Sequence, residues 1–147
     1  MADVDVSVTY RFKKQKPVEE PHEVTAMIVV DKDAGEDVIT AAPISLTPGY
    51  WKVIWKLVGG TGVPNPKFAF KNGIDLKAIP INVEVEASGF VDETTWEALL
   101  RHQVTHSNRI DYDINGSNNG HTFSRKDFFK DPSIAVVNEP PPGDPPV

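Results

Sequence analysis

Residues Ser45 to Pro64 read SLTPGYWKVIWKLVGGTGVP, and this stretch decides the fold. Trp51, Val53, Trp55 and Leu57 fall on one side of an extended chain, with Lys52, Ile54 and Lys56 on the other. That is the period-two pattern of a strand with one buried face. A Pro-Gly pair precedes it and a Gly-Gly pair follows, so the strand is bounded by turn chemistry at both ends. The tryptophans share their face with Val53 and Leu57, which makes them core residues first, and Tyr50 points to the opposite side.

The same alternation recurs on both sides of this stretch. Val4, Val6, Val8, Tyr10 and Phe12 alternate with Asp5, Ser7, Thr9 and Arg11, and Val24, Ala26, Ile28 and Val30 form a second inner set. The run between them, KKQKPVEEPHE, is charged and broken by prolines and reads as a solvated loop. DKDAGED, Asp31 to Asp37, is a hairpin loop by composition, with Gly35 free to take positive φ. Phe68 and Phe70 make a same-face pair before Asn72-Gly73, a turn dipeptide. Ile79, Ile81, Val83 and Val85 alternate next, and Pro80 lacks a ladder donor, so that strand is expected to begin or lie at an edge. Ile110, Tyr112 and Ile114 alternate with acids before the polar run NGSNNG, and Ser133 to Asn138 reads as the last strand.

One helix is expected. Thr94 and Glu97 have capping-box spacing, and Trp96, Leu99 and Leu100 make an i, i+3, i+4 stripe, so Thr94 to His102 reads as a short helix, with a strand or an irregular crossover as the alternative. The whole is then an all-β protein, an antiparallel, Ig-like β-sandwich of about seven to nine short strands with at most one short helix. Residues 1–138 make a single domain, and 139–147, EPPPGDPPV, a Pro-rich C-terminal tail that can form neither ladder nor helix. A chain of 147 residues buries roughly 68–70% of its unfolded surface on folding, enough for a core without staples.

Composition excludes several function classes. There is no cysteine, so there are no disulfides, no thiolate chemistry and no Cys-based zinc site. Net charge is −6, and the cations are scattered, which argues against nucleic acid as a partner. No run approaches a membrane span, and MADVDVSV has neither a basic nor an apolar leader region, so no membrane role and a cytoplasmic location are expected. The motifs of serine hydrolases, zincins, P-loops and dinucleotide folds are all missing, so no enzyme, catalytic residue or cofactor is expected.

Two constellations have chemistry to offer. Asp111-Tyr-Asp113-Ile-Asn115-Gly116 matches the first half of an EF-hand loop, with oxygens at alternate positions and glycine at the turn. The second half fails, because Thr122 stands where the bidentate Glu belongs, and a strand ending in an Asn-Gly turn explains the same residues. Asp111, Asp113 and Asn115 are therefore calcium candidates, and Tyr50, Asn118, Asn119 and His121 are candidates for a small ligand such as a carbohydrate, since aromatic rings stack on sugars. His102 and His106 would share a helical face and could hold a metal, but β-branched and breaker residues intervene, which favours independent histidines.

At the C-terminal end, Asp131-Pro132 and Glu139-Pro140 flank an apolar run, DPSIAVVNEP. This resembles the signature of the DP-EP family of small bacterial proteins, and more faintly the close of the bacterial inclusion-body and nematocidal protein group. The DP-EP resemblance implies a bacterial protein with no established activity. Physically, each proline punctuates the last strand. The functional expectation is a non-enzymatic sandwich that acts by binding a protein partner or by self-association, as a possible homo-oligomer. The alternative is a calcium or carbohydrate module built on the 111–121 loop.

Overall fold

The computed structural model describes residues 20–60, 63 and 67–138. The expected strand Val4 to Phe12 and the tail at 139–147 lie outside the described residues. Ten strands follow: β1 (His22–Asp33), β2 (Glu36–Ala41), β3 (Ile44–Leu46), β4 (Gly49–Gly59), β5 (Phe68–Lys77), β6 (Val83–Asp92), β7 (Thr95–His102), β8 (Asn108–Asn118), β9 (His121–Thr122) and β10 (Ser133–Val136), with a single 3-10 turn at Arg125–Asp127.

They form two sheets. The first has the order β2-β1-β4-β7-β6, with β4 in the middle as its pattern requires. In the second, β8 pairs with β5 along one side, and with β9 and β10 along the other, while β10 continues to β3. The inner faces meet in one core, where Trp55 is fully buried and packs edge-on against Tyr112 at 5.5 Å between ring centroids. The all-β sandwich architecture is therefore as expected, but its sheets are mixed and not wholly antiparallel. β1 runs parallel to β4, and β3 parallel to β10. The cause is connectivity: after the β1–β2 hairpin the chain crosses to the other sheet as β3, so it re-enters beside β1 in the same direction.

The Thr94 to His102 segment is strand β7, and its period is two. Trp96, Ala98, Leu100 and His102 are buried, while Glu97, Leu99 and Arg101 face outward. β4 and β6 pair with it from either side, and two ladders outweigh a nine-residue helix that is marginal alone. The Thr94 amide, read as a helix cap, instead donates to Asp92 Oδ1 at 2.9 Å and closes the β6–β7 hairpin. That bond holds the Asp92 carboxyl below its usual range.

Two Asn-Gly pairs differ from expectation. Asn72-Gly73 is a bulge within β5, where the register against β8 slips between Phe70 and Gly73. Gly73 has φ 72°, and a Cβ there would lie 2.1 Å from the Trp96 ring, so glycine is required on both counts. β8 runs through Asn115-Gly116 to Asn118, and the turn to β9 is made by Asn119-Gly120, both at positive φ. Ala34-Gly35 turns the β1–β2 hairpin in the same way. Ile79 and Ile81 precede β6 as exposed loop residues, and β6 is an edge strand, as Pro80 suggested.

Candidate functional site

Asp111, Asp113 and Asn115 lie at alternate positions along β8, on its outward face, and not in a loop. Their carboxylates already have cations. Arg109 Nε is 3.2 Å from Asp111, and Asp113 takes Arg125 at 3.0 Å and Lys77 at 3.5 Å. The Asp113 bond raises the Arg125 guanidinium, and Asp75 first, then Asp113, raises the Lys77 amine. An EF-hand needs its oxygens to converge around a sharp turn, whereas here extended backbone sets them in a row. Among the described residues no group of three or more His, Asp or Glu side chains is placed to hold a metal ion.

Asn118 and His121 come together elsewhere, in a polar knot between the sheets. Asp37, from the start of β2, is fully buried in its side chain and accepts from Lys32 Nζ at 3.0 Å and Asn118 Nδ2 at 3.2 Å. His121 Nε2 lies 3.3 Å from Asp127 Oδ2 and 3.7 Å from Asp37 Oδ2. Asp127 Oδ2 also accepts from the Ser124 amide at 2.9 Å and hydroxyl at 3.3 Å. Histidine and serine thus share one carboxylate oxygen and are not lined up with each other, so no base-to-nucleophile relay exists there. The knot's effect is mechanical: it joins β2 of one sheet to β8, β9 and the 3-10 turn of the other. Asn119 stays exposed in the β8–β9 turn, and His121 meets neither Asp111 nor Asp113 in any contact.

The sugar-stacking residues are occupied. Tyr50 faces outward, and the Arg101 guanidinium covers its ring at 3.8 Å. Trp55 and Trp96 are buried, and Trp51 donates to the Thr47 carbonyl at 2.8 Å and packs beside His22. Neither Trp55 nor Trp96 offers an open ring face. His102 is buried, with Nε2 2.9 Å from the Leu46 carbonyl, whereas His106 is exposed, so the two are independent. Pro132 is buried at the head of β10, where its carbonyl accepts from the Tyr112 amide, and a groove of about 350 Å³ opens beside it, with Phe129 at its rim.

What sequence reasoning passed over is the outer edge of the first sheet. No described strand pairs with the free side of β6. Exposed apolar side chains gather there, with Ile79 and Ile81 at its approach and Phe90 and Val91 near its far end, Ile81 being 86% exposed. A ladder edge left open with apolar side chains along it is a surface that pairs with other chains. No protein-family model matches the chain, and no curated protein matches it. Function therefore has to be argued from this edge and from the sites just described. The signal in the sequence was the weak one of a proline before an alternating run. No helix among the described residues is long and apolar enough to cross a membrane.

Proposed function

We propose that this chain is a non-enzymatic β-sandwich domain that works by protein association, through the outer edge of β6. One observation carries the reading: of the six large apolar side chains that stand exposed among the described residues, Met27, Ile79, Ile81, Phe90, Val91 and Phe129, four belong to β6 or its approach. Scattered apolar residues are ordinary on a surface, but their concentration along one strand whose outer side no described strand pairs is not. Membership of the DP-EP family, a bacterial source and an Ig-like topology belong to the same proposal and rest on the sequence.

The test is a double substitution, Ile81→Asp with Val91→Asp, at exposed positions that take no part in the core. Light scattering from micromolar to millimolar protein, and titration with strand-forming peptides, are run on both forms. The reading expects association by the wild type and its loss in the variant, at an unchanged unfolding midpoint in denaturant. A wild type that stays monomeric at millimolar concentration and takes up no strand peptide ends it.

A further inference from the structure

We infer that the β6 edge is built to receive an extended, lysine- or arginine-bearing segment of another protein, with Glu97 as the residue that reads its charge. The inference rests on the association reading above and names the partner's chemistry. From Ala78 to Leu100 the sequence has five acids, Glu84, Glu86, Asp92, Glu93 and Glu97, and no lysine, arginine or histidine. Up to Leu100 the β6–β7 hairpin thus carries acids and no cation, and Arg101 and His102 close its β7 end. Arg101 ties down Glu86. Among the described residues no cation pairs with Glu84 or Glu97.

The shape of the edge agrees. Register slips at both Val85/Ala87 and Phe90/Asp92, so β6 keeps register in two short runs, Val83-Glu84-Val85 and Ala87-Ser88-Gly89-Phe90. Gly89 stands opposite Glu97, and Ala87 opposite Leu99, on the outward face. Together with Ser88 and Phe90 they line a concavity of about 100 Å³, and a Cβ built on Gly89 meets nothing within 4 Å. Small residues at the middle of an edge strand leave room for a second backbone. A visiting strand would gain its affinity from main-chain ladder bonds and its selectivity from the side chain that enters the concavity. A lysine or arginine fits this opening, because its methylenes can lie along Ala87 and Leu99 while its charge reaches Glu97.

A second copy of this chain is the poorer occupant. Antiparallel pairing of β6 with β6 about its middle sets Glu84 and Glu86 of one copy near Asp92 and Glu93 of the other, and like charges across a ladder repel. The two bulges also shorten the edge for self-pairing.

The experiment uses the full chain and three labelled octapeptides: alternating lysine and valine, alternating threonine and valine, and the lysine form with two valines replaced by proline. Anisotropy titrations at low and at physiological salt should give binding of the first, weaker binding of the second and none of the third. Glu97→Gln should weaken the lysine peptide about two- to fivefold, as for a part-exposed ion pair, and leave the threonine peptide unchanged. Gly89→Phe should abolish uptake of both at an unchanged unfolding midpoint. Equal affinity for the lysine and threonine peptides overturns the charge inference but leaves the edge as an association surface. Equal affinity for the proline form overturns strand addition. Dimerisation through β6 without peptide binding makes the partner a second copy and also overturns this inference, while a monomer that binds no peptide removes the association reading with it.

Discussion

The outward face of β8 and the β6–β7 hairpin carry acids at similar spacing and use them in opposite ways. On β8 each aspartate is matched by a guanidinium or ammonium from its own strand or a neighbour, so the run that most resembled a cation loop is electrostatically closed. On β6 and β7 the acids other than Glu86 have no cation partner among the described residues, beside a ladder edge that no described strand pairs. Motif richness and chemical availability are therefore separate properties. A site depends on which groups the fold leaves unsatisfied, and β8 leaves few.

The largest effect tests the support beneath the hairpin. Gly73→Ala would drive a methyl group into Trp96, which packs against both Phe70 and Phe90, and would strain a positive-φ position. A loss of about 3 kcal/mol is expected in denaturant melts. Because β5 and the hairpin meet there, the β6 amides should lose hydrogen-exchange protection before those of β8. Equal loss in both regions would show that the two sides are not separable.

Nearly as large is the response to alkali on the core side of β8. The Tyr112 hydroxyl is buried without a hydrogen-bond partner, and burial pushes its pKa up to about 12, against 10 for a free tyrosine. The acid form is the one the fold favours, so stability is complete below pH 10 and falls as the pH climbs toward 12, by about 2–3 kcal/mol in all. Tyr112→Phe should flatten that slope, which urea melts across the range would measure. A wild type and variant with the same slope would contradict it.

Asp37→Ala probes the polar knot. Lys32 and Asn118 lose their shared acceptor, and a decrease of about 1–2 kcal/mol is expected, moderated because the buried carboxylate is itself costly. The smallest effects set the two regions side by side. Asp113→Ala should cost less than about 1 kcal/mol, and the cost should shrink in high salt. Glu97→Ala should leave stability level or slightly raised, since it removes one charge from an all-acid stretch. A loss at Glu97 as large as that at Asp113 would mean that Glu97 has a stabilising role within the fold.

Legibility followed the physics of local pattern. β4 could be read because its alternation is strict and the second sheet covers it on one face only. Strand β7 was open to two readings because Trp96, Leu99 and Leu100 satisfy a helical stripe, while Trp96, Ala98, Leu100 and His102 satisfy a strand. Only the ladders to β4 and β6, which no local window contains, decide between them. Asp37 sits in a run whose composition says solvated turn, yet its alternation with Ile39 turns it inward, where Asn118 waits from a strand far along the chain. The Asn-Gly pairs show the same limit: all three have turn chemistry, one closes a hairpin, one makes a bulge and one continues a strand. Partner strands, not the dipeptide, fix which. Pro80 marked an edge strand, but that exposed apolar side chains gather along β6 is set by which strands the fold brings beside it, which no local window contains.

The parallel pairing of β1 with β4 has a consequence for how the chain folds. The β1–β2, β6–β7 and β8–β9 hairpins close on two-residue turns and can form early from local contacts. β4 has no such neighbour: His22 must find Trp51, and Trp51 must find Leu100. Both closures pay loop entropy before any core contact repays it, so docking of β4 should set the folding rate. Truncating Val53 should then slow folding, and equal truncation at the β8–β9 end should chiefly speed unfolding. The tryptophan strand would in that case be the slow step as well as the centre of the first sheet.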